Sequence, residues 1–387
     1  MQASTPVSSN MESPVEKLQQ RLGWLRRDPD NASLYRQCAD AALALRQYDV
    51  LLEIADQALS RDPDNASARF DRANARIGRR EYREALSALA EIQPVTPEQS
   101  AAIDSNRAVC HYCLGEYEQA LPLLMDQYRQ GQRSAALLLM AVRANHHLSN
   151  LDEAAAIANA NPQAAGSDAA LAGAYALMFL DTGDAGSAAR WSATALRLDA
   201  RSIDGAITDG TLAVMRLQLD RAQRQFNSVL ELAPETGRAW IGLGTLAMLQ
   251  QDLRQAASHF ERGLQSMPGY VGGWHMLGWA QLMQQDLEAA ERSLNHALSL
   301  DRNFAETHGT LAALDALKGN VDSAKHRLEL ARRLDPDSFS MQFAAALLED
   351  PSLKSSSAQQ IMQQTLLKIR GQGDSALAKL LVQRPKR

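Results

Sequence analysis

At 387 residues the chain exceeds what one compact core holds, so it is either several globular domains or one elongated array. A net charge of −5 gives no electrostatic reason to expect nucleic acid or an anionic membrane surface, and three cysteines build no disulfide framework. No run approaches 18 apolar residues and the first 13 residues lack the basic and apolar parts of a secretory signal, so the expectation is a cytoplasmic chain without membrane insertion.

In chain order, residues 1–12 read as a disordered leader. Ser13-Pro14-Val15-Glu16 has the form of a capping box with Pro at the first helical position, opening an N-terminal capping helix within 13–31. Leu18, Leu22 and Leu25 share its apolar side. The hexapeptide DPDNAS occurs at 28–33 and again at 62–67, where Pro ends one helix and Asn caps the next. Asn31 and Asn65 also match a glycosylation sequon, but the turn reading is preferred without a secretion signal.

Nine blocks of 34 residues follow, at 32–65, 66–99, 101–134, 135–168, 169–202, 203–236, 237–270, 271–304 and 305–338, with one residue inserted before the third. Position 8 is Gly or Ala in all but Val142, and position 20 is Ala in all but Leu51. Small residues on one face of each of two helices let them approach closely, while large residues at 4, 7 and 24 fill the surrounding space. Block 135–168 is the most degenerate: its second helix should stop near 159–162, leaving a loose linker at 163–167 and a place for a bend. Residues 339–349 suit another first helix, Pro351 breaks it, and helices over 355–369 and from Asp374 precede the basic tail Arg384-Pro385-Lys386-Arg387. The whole segment 339–387 is expected to cover the array's open end.

In the three most regular blocks, Trp240, Leu243, Gly244, Ala256, Phe260 and Pro268 are followed by Trp274, Leu277, Gly278, Ala290 and Leu294, then by His308, Leu311, Ala312, Ala324 and Pro336. This W-x2-L-G…A-x3-F…P pattern resembles the tetratricopeptide repeat. The resemblance implies an all-α, right-handed α-solenoid of about nine helix pairs with capping helices at both ends, acting as a non-enzymatic scaffold or adaptor. It further implies that positions 2, 5, 9, 12 and 13 of each first helix face a concave groove that holds a protein segment.

Carried onto this sequence, those positions give Asp204, Ile207, Thr211, Val214 and Met215; Arg238, Ile241, Thr245, Met248 and Leu249; Gly272, His275, Trp279, Leu282 and Met283; and Glu306, Gly309, Ala313, Ala316 and Leu317. Met215, Ile241, Met248, Trp279, Leu282 and Met283 form an apolar lane, with Asp204, Arg238 and Glu306 setting register. The lane is either open to a partner helix, which is the preferred reading, or covered internally by a tight superhelix or by the chain's own C-terminal helices. Trp279 is then a groove anchor and Trp240 a core residue.

The N-terminal groove positions are more polar, with Phe70, Asn74, Tyr112, Arg143, His146 and His147 as a secondary set. Arg36 is followed by Asp40, which departs from the Lys-and-Asn pattern of relatives that clamp a C-terminal carboxylate. Cys110, Cys113 and His147 are the only metal candidates, but a lone C-x-x-C inside a helix is more often structural. No nucleotide-binding, zinc-protease or nucleophile-elbow motif appears, so neither an enzyme nor a cofactor is expected. The rival reading is an accessory subunit of an enzyme that senses a peptide or metal through 110–147. Bacterial members of the resembled family often serve secretion, pilus or envelope assembly, and an Arg-rich, Lys-poor composition is compatible with such a source.

Overall fold

The computed structural model of the chain describes residues 13–349. The expected leader at 1–12 and the expected helices and tail beyond 349 lie outside them. Among the described residues every regular element is a helix, and the chain divides into two compact units between Asn150 and Leu151.

The first unit contains α1 (Pro14–Leu25), α2 (Ala32–Ala44), α3 (Tyr48–Arg61), α4 (Ala66–Gly78), α5 (Tyr82–Ala90), α6 (Pro97–Cys113), α7 (Tyr117–Arg129) and α8 (Ala135–His147). The second contains α9 (Leu151–Ala160), α10 (Pro162–Gly166), α11 (Ala169–Asp181), α12 (Ala185–Leu198), α13 (Ile203–Met215), α14 (Leu219–Leu232) and α15 (Gly237–Leu249). It continues with α16 (Leu253–Ser266), α17 (Val271–Met283), α18 (Leu287–Leu300), α19 (Ala305–Lys318), α20 (Val321–Leu334) and α21 (Phe339–Glu349).

Local chemistry sets these bounds. Glu16 N–H donates to Ser13 Oγ at 3.2 Å while Ser13 N–H donates to Glu16 Oε2 at 2.7 Å, a reciprocal cap on α1. Asn31 and Asn65 accept from Leu34 and Ala68 N–H at 3.0 Å each, so both sequon asparagines cap helices. The segment expected as a loose linker at 163–167 is mostly helical instead. Pro162 stands at the first position of α10, where its missing N–H costs nothing.

Each turn between paired helices contains one left-handed residue, at 46, 80, 115, 149, 183, 217, 251, 285 and 319, with φ from 55° to 83°. The spacing is 34, except for 35 between Arg80 and Gly115, where the sequence carries its inserted residue. Only three of these nine positions are glycine. A side chain in this conformation costs about 1–2 kcal/mol, and glycine's extra unfolded-state freedom recovers only about 0.5–1 kcal/mol of it. Leu217 is 46% exposed and gains little from packing. Leu217→Gly is therefore expected to stabilise the second unit by about 0.5–1 kcal/mol, read as a higher urea midpoint; a lower midpoint would contradict the strain.

Within each pair the small-residue positions are the helix crossings. A Cβ on Gly210 would fall 2.7 Å from the Phe226 ring, one on Gly244 2.6 Å from Phe260, and one on Gly278 2.6 Å from Leu294. These are position 8 against position 24 in three successive blocks. Ala188, Ala222, Ala256 and Ala290 are fully buried. The fold is an α-solenoid of stacked antiparallel helix pairs.

In the last three blocks, position 4 also holds a loop, whereas Tyr35, Leu138, Ala172 and Ala206 at the same position are buried. Trp240 is only half-buried, and its indole N–H donates to Pro234 O at 2.7 Å. Trp274 makes the same bond to Pro268 O at 2.7 Å, and His308 Nε2 lies 2.7 Å from Arg302 O. Because a carbonyl only accepts, His308 carries its proton on Nε2 there. The three rings tie each first helix to the loop six residues back, which corrects the expectation that Trp240 is a core residue.

Candidate protein-binding groove

In the second unit, four consecutive first helices present the same turns to one side. Leu180 and Asp181 of α11, Ile207, Thr211 and Val214 of α13, Arg238, Ile241 and Thr245 of α15, and Gly272 of α17 line one small, partly open cleft of about 50 Å³. Phe226, Gly242, Tyr270 and Met276 complete it. Thr211 and Thr245 donate back to the carbonyls of Ile207 and Ile241 at 2.9 and 3.0 Å. With their hydroxyls satisfied by their own helices, they act as short, largely apolar side chains.

The polar side of the cleft is built by Arg238. Its guanidinium meets Asp181 through two bonds of 3.0 and 2.6 Å, joining residues 57 positions apart and fastening α15 to α11 across α13. Burial opposes the charge on Arg238, but the facing Asp181 carboxylate outweighs it and holds the guanidinium above its ordinary value. Burial pushes the Tyr270 phenol up to about 12, with Arg238 opposing and Asp181 adding to the shift. Asp204 adds a further negative charge near Arg238, and Met215 is half-buried at the end of α13. Leu180, Asp181, Tyr270 and Met276 are absent from the sequence-based set. The first two occupy positions 12 and 13 of block 169–202, so extending the same positions one block upstream finds them.

The C-terminal part of the lane is covered. Met248, His275, Trp279, Leu282 and Met283 are all buried, in one cluster around Phe339, Phe343, Ala344 and Leu347 of α21, apart from His275, which packs beside it. Trp279 is 3% exposed, with Phe343 and Phe339 ring centroids 5.1 and 5.7 Å away. Its indole N–H donates to Ser340 Oγ at 3.2 Å. Glu306 accepts from the Phe339 and Ser340 N–H groups at 3.0 and 2.9 Å, so its carboxylate holds the first turn of α21. Of the occupants the sequence allowed, α21 fills the lane from Trp279 onward, its Phe339 and Phe343 packing on the Trp279 ring. His275 is 2% exposed with neither ring nitrogen hydrogen-bonded, edge-on to Phe304 at 5.5 Å. Burial alone depresses it to about 3.

In the first unit Arg36 is committed inward. Its terminal nitrogens bond Asp71 at 2.9 and 3.0 Å, its Nε bonds Asp40 at 2.9 Å, and Tyr35 O–H donates to Asp71 at 3.0 Å. Burial raises the Asp71 carboxyl, while bonds from Arg36 and Tyr35 pull it back down. Phe70 packs on the Leu89–Ile103 cluster, and Asn74 accepts from Asn106 at 2.7 Å. Tyr117 stacks on His147 at 4.4 Å and meets Tyr112 edge-on at 5.8 Å. His146 lies 6.4 Å from His147, and the charge of Arg143 acts on the Tyr117 phenol. The secondary set is therefore a polar and aromatic patch.

The metal candidates do not converge. Cys110 points into the core, where burial pushes its thiol up to about 11, and Cys113 is exposed. The i, i+3 spacing leaves one thiol inward and the other outward, while His147 spends its ring face on Tyr117. Among the described residues no group of three or more His, Cys, Asp or Glu side chains is placed to hold a metal ion.

Stacked helix pairs on a constant period, one face carrying a cleft, define a helical-repeat protein of the interaction type. Residues 210–271 and 247–314 each match a family model described as tetratricopeptide repeat, so the stretch 210–314 carries tetratricopeptide repeats. No curated protein matches it. Among solved structures it is similar to a chain in the crystal structure of the APC/C hetero-tetramer Cut9-Hcn1, at 18% identity and TM-score 0.55, over 89% of this chain and 67% of that one. It is also similar to a tetratricopeptide repeat protein from Parabacteroides merdae, at 14% identity and TM-score 0.46, over 65% of this chain and 100% of that one. Pseudomonas aeruginosa pilF is similar at 17% identity and TM-score 0.44, over 55% of this chain and 96% of that one. Tetratricopeptide-repeat proteins are generally non-enzymatic and bind protein or peptide partners, and this chain is accordingly a protein-interaction scaffold. No helix among the described residues is long and apolar enough to cross a membrane.

Proposed function

We propose that the chain is a non-enzymatic scaffold whose protein partner lies along the first helices α11, α13, α15 and α17 of the second unit. The observation that carries this reading is the cleft itself. Groove positions of four consecutive blocks line it, with Ile207, Val214, Ile241 and Met276 as an apolar floor and the Arg238–Asp181 pair at its polar side. An apolar centre beside charged groups suits a helix or extended segment that lays one small apolar side chain into the cleft and reads charge at its flank. Free thiols at Cys38, Cys110 and Cys113 support a reducing compartment, the cytoplasm, as its location.

Thr211→Arg tests the site with little risk to the fold. Thr211 is half-buried at the cleft, its hydroxyl bonds only its own helix, and Arg is a good helix former. The long cation should fill the cleft and weaken capture of a polypeptide partner by roughly tenfold or more, with the melting temperature unchanged. Undiminished capture by the folded variant would overturn the location.

A further inference from the structure

The last described helix does not continue the stack. In the preceding pairs, each new first helix packs mainly on the second helix before it, as α17 does on α16 and α19 on α18. α21 instead lies chiefly on the first helix α19 and only lightly on α20, and it reaches Trp279 on α17. What it touches there are groove positions: position 9 of block 271–304 at Trp279, then positions 2 and 5 of block 305–338 at Glu306 and Gly309. In the blocks upstream these positions line the open cleft.

We propose that the surface of α17 and α19 is a helix-binding site, that α21 is its resident ligand, and that the partner it takes is a helix of the same chemistry. The inference rests on reading the chain as a protein-binding scaffold. The ligand pattern is read from α21: aromatic side chains at i and i+4, a leucine at i+8, and a small hydroxyl residue second in the helix. These are Phe339, Phe343, Leu347 and Ser340. Two features of the site recognise a helix whichever chain supplies it. Glu306 takes the N–H groups of the first two helical residues, which every helix start leaves without an intrahelical partner. Gly309 admits the helix backbone: a Cβ there would fall 2.4 Å from Met341 N and 2.6 Å from Ser340 C. Trp279 adds the aromatic contact and reads the hydroxyl.

α21 is short and is held by its packing on α17 and α19. An isolated helix of 11 residues is marginal in water, so release melts α21 and uncovers the part of the core cluster that it seals, which a competing helix would cover again. The tether from α20 is four residues, 335–338, which keeps α21 at a millimolar-scale effective concentration. A competitor in trans therefore binds the native chain weakly unless α21 is loosened.

A fluorescein-labelled peptide of residues 338–349 is titrated into the full chain and followed by anisotropy. Phe343→Ala, which weakens the resident helix and leaves the site intact, is expected to take the peptide at least about tenfold tighter than the native chain. Adding Gly309→Ala should abolish that binding, since the new methyl meets the backbone of any helix seated there. Absence of peptide binding to Phe343→Ala, or binding that survives Gly309→Ala, overturns the proposal. A second readout needs no variant: amides of 339–349 in the native chain should exchange at least about tenfold faster than those of 271–283 and 305–318. Equal exchange over the three segments makes α21 part of the fold and ends the idea. Capture lost with Thr211→Arg but peptide binding retained, or the reverse, shows which of the two sites fails.

Discussion

Trp279→Ala is expected to destabilise the second unit by about 3–5 kcal/mol, the usual range for truncating a buried aromatic residue. The ring is 3% exposed, lies against Phe339 and Phe343, and its N–H is bonded to Ser340, so the alanine leaves a cavity and an unpaired hydroxyl oxygen together. Part of the loss should appear as release of α21, seen as new proteolytic cleavage within 339–349. Trp240→Ala should cost markedly less, about 1–2 kcal/mol, because that ring is half-exposed and mainly holds the Pro234 carbonyl. Urea denaturation of both variants checks the ranking; equal losses would contradict the burial described for Trp279.

His275 gives the second large effect, and it depends on pH. The imidazole is buried without a hydrogen bond and is depressed to about 3, against about 6.5 in the unfolded chain. A base with a depressed folded value contributes stability that is complete above the unfolded value and is lost as pH falls toward the folded one. The loss is about 1.4 kcal/mol per pH unit below about 6.5, or roughly 3 kcal/mol by about pH 4. His275→Phe replaces the ring with one of similar shape and no titrating atom. It should be neutral or stabilising at pH 7 and should erase most of this slope, because two buried nitrogens no longer need partners. Urea midpoints of native chain and variant at pH 7 and pH 4 isolate the contribution as a difference. A variant as acid-sensitive as the native chain would show that His275 is not the group concerned.

Much of the fold is legible in the sequence because close helix approach leaves a chemical trace. Gly210, Gly244 and Gly278 stand where Phe226, Phe260 and Leu294 press on the backbone, and no larger residue fits. The turns leave less of a trace, since six of the nine left-handed positions hold Arg, Ser, Leu or Gln and only the structure reveals them. The cleft follows from groove positions once block 169–202 is included, which brings in Leu180 and Asp181. The roles of Trp240 and Trp279 are not legible, because indole size alone suits both a core and an interface. What separates them is the carbonyl six residues before Trp240 and the helix that closes over Trp279. A signal for that closure does exist: block 305–338 has Gly309, Ala313 and Ala316 at groove positions, small residues that suit a backbone lying directly on them. The apolar pattern of 339–349 fits another stacked helix equally well, so it does not decide where that helix goes.

The central claim is that partners are held by the first-helix side of the second unit. Hydrogen exchange of the full chain, with and without a polypeptide captured by it, tests this most directly. The account expects added protection over 203–215, 237–249 and 271–283, on the helices that line the cleft. Protection confined to the second helices, 219–232, 253–266 and 287–300, would contradict it.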